Sequence, residues 1–500
     1  MYMLPIPIIA KESVMCNCSS KLIWSWNRLP PHPLRAFDGD ISLDIRLYES
    51  SIGDPRIFKL RNMKKIVLLL FISYLLFSSF SINSPDKKDS VIFVTEVIFP
   101  FQKEHVHGST IVELKNGDLL AAWFQGSGER RADDVKIMGA RKKNRLDSWS
   151  EPFVLADTKE FPDCNPILFI DVEDRLWLMW IAIIANQWET SLIKYKISED
   201  YQEMSLAPIW NWQDVLHIKP GDKSERGIQP DDSFVKSVEK QLNNYLEYVR
   251  TESDTFNYTD WSGHIDRTLS NARGENMLRA GYLYKDDGKF ENAVLGYPYF
   301  RRMGWQTRNK PFITNSGRII VPLYSDGFGF SLMAYTDDCG STWKFSKPLV
   351  GAGNIQPTIA QTKSGKLVAY MRDNGPAPKR IHVSYSTDMG ESWSLVRDSE
   401  LPNPGSACDI VISKNGSWIL VYNDIERGRH KLCVSLSKDE GKTWEWSKYI
   451  ENEEYPVQAH YPAVIVGDDG IIHVSYSYFT KDNVKTIKHA AFNEEWIKAK

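Results

Sequence analysis

Beyond residue 90 the apolar positions fall in short runs, each closed by a polar or glycine-bearing turn. One kind of run follows a glycine or acidic turn and recurs as Asn116–Trp123, Glu173–Trp180, Ser316–Tyr324, Ser364–Tyr370, Asn415–Tyr422 and Asp469–Tyr476. A second apolar run precedes each of them, as at Ser109–Leu114 and Pro462–Val466. Runs of this length, rich in β-branched and aromatic residues and bounded by turn residues, read as strands in successive hairpins. Behind three of the pairs stands the pattern Ser/Thr-x-Asp-x-Gly-x-Ser/Thr-Trp, from Thr336 to Trp343, Ser386 to Trp393 and Ser437 to Trp444. In each box the Asp (Asp338, Asp388, Asp439) can accept from the backbone of its own turn. The Gly admits a positive φ, and the Trp lays a large ring under the hairpin.

A period of about 50 residues means a propeller, a solenoid or an array. Hairpin after hairpin with six copies predicts an all-β fold, a six-bladed β-propeller over 91–496 with four strands per blade. Degenerate boxes close the first two blades, at Asn144–Trp149 and Ser198–Asp200. The last blade, 460–496, lacks a box, and Val91–Phe99 is suited to complete it as an N-terminal strand.

One stretch breaks the period of two. From Asp232 to Val249 the apolar residues Phe234, Val235, Val238, Leu242, Tyr245, Leu246 and Val249 share one helical face. Residues about 210–300 are therefore expected to form a partly helical insertion between blades; seven blades, with an irregular one inside this stretch, is the alternative.

Upstream, Met63-Lys64-Lys65 precedes the apolar run Ile66–Phe77 and Ser-rich residues to Ser84. This is the layout of a signal peptide, 63–84. It is short for a spanning helix, and an uncleaved anchor is the alternative. The 62 residues before it carry Cys16 and Cys18, many prolines and no clear periodicity. The expectation is that 1–62 is a non-native N-terminal extension, that translation starts at Met63, and that the protein is secreted or periplasmic.

Composition removes several function classes. A net charge of −3 leaves no footprint for nucleic acid. There is no phosphate-cradling glycine loop, no His-Glu-x-x-His and no Cys-x-x-Cys. Cys164, Cys339, Cys408 and Cys433 have no metal-ligand spacing, so no metal or cofactor is expected, although a structural Ca²⁺ stays open. Seventeen tryptophans and 12% aromatic residues suit a glycan-handling β protein.

Propellers bind ligands where the innermost strands begin. The polar residues predicted there are His107, Asp134, Arg308, Arg372, Arg429 and Tyr461, with Arg131 beside Arg130, Asn165 and Gln356 in reach of the same mouth. Converging arginines form a clamp for a carboxylate. A tyrosine beside a carboxylate or base can act as nucleophile or proton donor.

Over about 95–496 the boxes and blade pattern resemble the BNR/Asp-box sialidase (neuraminidase) superfamily. The boxes speak for architecture alone; the site positions are more informative. The family's first triad arginine falls on His107, so histidine replaces it. Its acid/base Asp falls on Asp134, with Asp133 as the register alternative. Its second and third arginines fall on Arg372 and Arg429, and its nucleophilic tyrosine on Tyr461. The glutamate that polarises that tyrosine has no counterpart, with Asn354 or Ile355 at its place. The resemblance implies that Arg372 and Arg429 hold a sugar carboxylate, that Tyr461 attacks the anomeric carbon and that Asp134 relays protons. The expected function is exo-sialidase-like hydrolysis of a glycan ending in a carboxylated sugar. Because of His107, a uronate-directed lyase or rhamnosidase of the rhamnosyl-glucuronate type is an alternative; a non-catalytic propeller that binds acidic glycans is another. Neither nucleic acid nor stable membrane insertion after signal cleavage is expected. The N-terminal reading is checked by the intact mass of the native protein, which should lack residues 1–62; a mature chain containing them refutes it.

Overall fold

The structure is a computed structural model. It describes residues 90–499 except 144–147, 203–206, 221–232, 274–277, 285–289 and 297–301. The extension 1–62 and the signal peptide 63–84 lie outside the described residues.

Six antiparallel sheets follow one another as blades. Their innermost strands are His105–Glu113 in blade 1, Asp163–Ile170 in blade 2, Asn354–Gln361 in blade 4, Asp409–Ile412 in blade 5 and Gln458–Val466 in blade 6. In blade 3 the inner edge is broken into Trp305–Thr307 and Phe312–Ile313, both paired to Ile319–Ser325. Blades 1 to 5 run outward in chain order. The face-to-face packing of successive blades buries Trp123, Trp177, Trp180, Trp305 and Trp418 almost completely. No seventh blade is present among the described residues.

Blade 6 has three strands from the C-terminal end of the chain and borrows its fourth from the N-terminal end. Phe93–Val97 pairs antiparallel with Lys485–Phe492, Phe93 opposite Phe492 and Val97 opposite Lys488. This strand closes the ring, as the unboxed last blade requires. Its anchor is Glu96, which accepts from Trp149 Nε1 at 3.0 Å, His489 Nδ1 at 2.8 Å and Lys142 Nζ. The carboxylate therefore ties the closing strand both to its own blade and to blade 1.

The Asp boxes sit on the hairpins between third and fourth strands, at the end of the ring opposite to where the inner strands begin. Asp338 accepts from Thr342 N at 2.8 Å and Thr336 Oγ1 at 2.7 Å; Asp388 and Asp439 repeat this within their own boxes. At Gly340 φ is +91°, and a Cβ would come within 2.5 Å of Trp177 of the neighbouring blade. Conformation and close approach thus both call for glycine at that site.

Between blades 2 and 3 the chain leaves the ring. The excursion begins after Trp212–Leu216, which is the outer strand of blade 2, and so later than residue 210. It holds two helices, α1 (Ser233–Thr251) and α2 (Tyr258–Arg273), and a hairpin of Leu278–Tyr284 with Phe290–Gly296. The buried face of α1 is Phe234, Val235, Val238, Leu242, Tyr245 and Val249, with Leu246 half-buried. It is continuous with Phe328, Phe330 and Leu349 of the propeller core. Gln241 locks the contact by donating to Pro348 O at 2.8 Å and accepting from Val350 N at 3.0 Å. Among the described residues no helix is long and apolar enough to cross a membrane. All four described cysteines are free.

Lys142 and His489 hold the Glu96 carboxyl down to about 2 against the opposing effect of burial. Its contribution to stability is therefore present above pH about 4.5 and is lost as pH falls towards 2. Glu96→Gln should lower the melting free energy by about 1–3 kcal/mol at pH 7. That deficit should shrink between pH 4.5 and pH 2; a deficit independent of pH in thermal melts would refute the role.

Candidate active site

Four inner strands skip register at the same height. The breaks lie between His107 and Thr110, Cys164 and Ile167, Ile355 and Thr358, and His460 and Ala463. Each bulge holds a residue in the left-handed region: Gly108 (φ 62°), Asn165 (50°), Gln356 (53°) and Tyr461 (56°). In blades 2, 4 and 6 a proline follows at once, Pro166, Pro357 and Pro462. Proline has no N–H for the ladder and is tolerated where the ladder is already interrupted. A left-handed non-glycine residue costs on the order of 1–3 kcal/mol and is held in place by its surroundings. Here the result is that Asn165, Gln356 and Tyr461 project into one polar cavity.

That cavity has a volume of about 250 Å³, and His107, Glu129, Trp188, Tyr324, Asp326, Arg372 and Arg429 complete its lining. It lies below the roughly 300–1,000 Å³ of sites for drug-sized ligands, and suits a single sugar ring. All these residues come from the starts of inner strands, from the ends of second strands (Tyr324, Arg372) or from loops joining second to third strands. The ring geometry brings those segments to one end.

Tyr461 is the centre. Arg372 Nη1 donates to its Oη at 2.6 Å, and Gln356 Nε2 donates to the same oxygen at 3.3 Å. Arg429 lies over the ring with its guanidinium carbon 5.3 Å from the centroid. Burial alone would push the phenol up, but Arg372 and Arg429, helped by Gln356 and Arg308, outweigh it and hold the phenol below its usual value. Two donors on one oxygen favour the phenolate. Gln356 also donates to Tyr324 Oη at 3.2 Å, and Tyr324 donates to Gln306 Oε1 at 3.0 Å. Asn165 Nδ2 donates to Tyr324 Oη at 3.3 Å.

His107 packs against Tyr461, ring centroids 4.3 Å apart, and its Nδ1 lies 2.8 Å from Ser477 Oγ. Burial, and then His460, His105 and the arginines, keep it well below its usual range, so it is neutral at pH 7. Arg429 is placed by Gly405 O at 2.7 Å and His460 Nδ1 at 3.0 Å. Two carboxyls face these cations. Glu129 and Asp326 are both raised from their ordinary values, chiefly by burial. Asp326 accepts from Gln306 Nε2 at 2.9 Å.

The structure thus brings together Tyr461, His107, Arg372, Arg429, Asn165 and Gln356, and it leaves out three residues expected with them. Asp134 is exposed and caps a turn, accepting from Ser127 N at 3.0 Å and Ser127 Oγ at 2.8 Å. Its register alternative, Asp133, is exposed too and accepts from Asn186 Nδ2. Arg308 is buried beneath the site and donates to the carbonyls of Ser109, Tyr461 and Pro462, bracing blades 1 and 6. Arg131 is exposed, and it is Arg130 that turns inward, over the Trp188 ring at 5.2 Å. The residue beside the tyrosine is Gln356. Ile355 is buried in packing, and Asn354 Oδ1 accepts from Gly351 N. Glu129, Trp188, Tyr324 and Asp326 were not anticipated. Tyr324 occupies in the second strand of blade 3 the position that Arg372 occupies in blade 4, so blade symmetry carried a signal for it. Among the described residues no group of three or more His, Cys, Asp or Glu is placed to hold a metal ion.

The model of the BNR repeat-like domain matches residues 117–223 and 303–474, leaving the helical excursion between its two segments. Over 194 residues the chain is 23% identical to the anhydrosialidase of Macrobdella decora, covering 34% of this chain and 25% of that protein. Over 171 residues it is 27% identical to sialidase-3 of Rattus norvegicus, covering 29% of this chain and 40% of that protein. The chain thus spans well under half the length of these two relatives. The solved intramolecular trans-sialidase from Ruminococcus gnavus superposes with a TM-score of 0.51 at 15% identity, over 79% of this chain and 96% of that one. With its propeller and with more than half its length matched, the chain belongs to the BNR repeat-like family of the sialidase superfamily.

Proposed function

We propose that this protein is an exo-acting glycosidase that removes a terminal carboxylated sugar, sialic acid foremost, from a glycan. The observation that carries the reading is Tyr461, its phenol oxygen 2.6 Å from Arg372 Nη1 on the wall of a one-sugar cavity. The names of the two curated relatives support it. In the proposed reaction Arg372 and Arg429 hold the sugar carboxylate, orienting the ring with its anomeric carbon towards Tyr461 Oη. The same cations stabilise the phenolate, so the nucleophile is activated by charge rather than by a neighbouring carboxylate base. Gln356 cannot take a proton there, but it orients the oxygen. Export under the leader beginning at Met63 belongs to the same proposal.

A second reading rests on His107. An imidazole whose ring centroid lies 4.3 Å from that of the tyrosine is placed to exchange a proton with a bound sugar. An arginine-neutralised uronate carboxylate, a base at its C5 proton and a tyrosine donor to the leaving oxygen make a lyase.

Two measurements test these readings. In tyrosine-selective NMR across a pH titration, Tyr461 should ionise below the other tyrosines, and Arg372→Met should move its midpoint upward; a midpoint unmoved by that change contradicts charge activation. In turnover, a fluorogenic sialoside is set beside a rhamnosyl-glucuronate-capped glycan. Release of sialic acid should fall on the order of 10³-fold in Tyr461→Phe. In Arg429→Met kcat/KM should fall about 10–100-fold, the ~1.5–3 kcal/mol of a charge-assisted hydrogen bond. Ultraviolet absorbance from an unsaturated uronate would instead establish the lyase, and binding of either glycan without turnover would make the protein a lectin.

A further inference from the structure

The loop joining the second and third strands of blade 1 runs from Gly126 to Val135 across the mouth, and it carries three carboxylates. Two of them fasten the loop. Asp134 stitches its two ends together through Ser127, as described above. Asp133 accepts from Asn186 Nδ2 at 2.9 Å, and the same amide donates to Arg130 O at 3.1 Å, so the loop is pinned to blade 2. The third, Glu129, faces the cavity. Its carboxyl lies between Arg130 Nη1 at 3.5 Å and His105 Nε2 at 4.0 Å, and Arg130 is itself laid over Trp188. About a third of the Glu129 side chain (33%) is open, and it opens into the cavity.

We propose that Glu129 is the proton-exchanging carboxyl of the reaction, the catalytic residue that donates to the leaving oxygen and later activates water. The proposal rests on the glycosidase reading. In the first half-reaction the proton on Glu129 passes to the glycosidic oxygen. The electron pair of the breaking C–O bond stays with that oxygen, and the Tyr461 phenolate forms a bond to the anomeric carbon. The phenol proton has already gone to solvent under the influence of the two arginines. In the second half-reaction a water attacks the anomeric carbon, its proton goes to the Glu129 carboxylate, and the Tyr461–carbon bond breaks to return the phenolate. Glu129 ends protonated, as it began.

Position distinguishes Glu129 from the other cavity carboxyl. Asp326 accepts from Gln306, whose other amide end accepts from Tyr324, so its carboxylate belongs to the network that holds the floor. Glu129 sits on the loop at the opening, where a leaving group departing outward must pass. Burial raises its pKa first; Arg130, Arg429 and Arg131 oppose this, while Asp326 adds to it. The net upward direction keeps a proton available for donation in mildly acidic solution.

The test uses the full chain and a series of sialosides that runs from nitrophenyl, a leaving group needing no proton, to sialyl-lactose, which needs one. Glu129→Gln should lose about 100-fold or more on sialyl-lactose while staying within about tenfold of wild type on the nitrophenyl sialoside. The basic limb of its kcat/KM profile should also vanish, and Glu129→Asp should recover part of the sialyl-lactose rate. Asp134→Asn should show no such selectivity. Equal losses across the series in Glu129→Gln, or leaving-group-selective loss in Asp326→Asn or Asp134→Asn instead, would overturn the assignment while leaving the glycosidase reading intact. Failure of the wild type to cleave any sialoside would overturn both. Retention of the wild-type melting temperature in Glu129→Gln separates a chemical loss from a folding loss.

Discussion

Everything at the mouth depends on the ring being closed. A blade contributes one or two side chains to the cavity, and His107 of blade 1 meets Tyr461 of blade 6 only once the six sheets have been brought round to meet. The seam is the pairing of Phe93–Val97 with Lys485–Phe492, made between segments almost a full chain apart. Long-range strand pairing of this kind must offset a large loop-closure entropy before it yields any contact. Glu96 reinforces the seam from both sides, reaching Lys142 and Trp149 in blade 1 and His489 in blade 6. Arg308 does related work at the centre. Although buried and charged, it satisfies carbonyls of blades 1 and 6 and lies under Tyr461, with its guanidinium carbon 4.9 Å from the ring centroid.

The cavity that results is a mixed field. Arg372 and Arg429 supply positive charge around Tyr461, while Glu129 and Asp326 stand opposite with raised pKa values. Groups whose surroundings push their pKa values in opposite directions are the material of acid–base division. The tyrosine is drawn towards its charged form and the carboxyls towards their neutral form within one recess.

The repeat structure was legible because blades are local. Turn residues, alternation and the Asp boxes lie within a few tens of residues, and they led to six blades, the closing N-terminal strand and the α1 helix. The site was legible where a residue belongs to the blade frame itself: Arg372 at a strand end, and Tyr461 and Gln356 at strand starts. It was illegible where a loop decides. In Gly-Glu-Arg-Arg, Glu129 and Arg130 turn inward and Arg131 outward, and sequence order does not say which. Asp134 lost its assigned place because the turn it closes needed its oxygens. Arg308 looked like a ligand contact, yet the interruption of the blade 3 inner strand sends it below the floor.

The bulges carry a wider consequence. Asn165, Gln356 and Tyr461 stand where the ladder is already broken, so exchanging one of these side chains removes no strand-to-strand hydrogen bond. What the position demands is tolerance of a left-handed backbone, and the bulge geometry then aims whatever side chain is there at the channel. Chemistry and architecture are thereby written on separate residues. A ring of this kind can drift from one sugar or one reaction to another by single replacements, with its folding left nearly untouched.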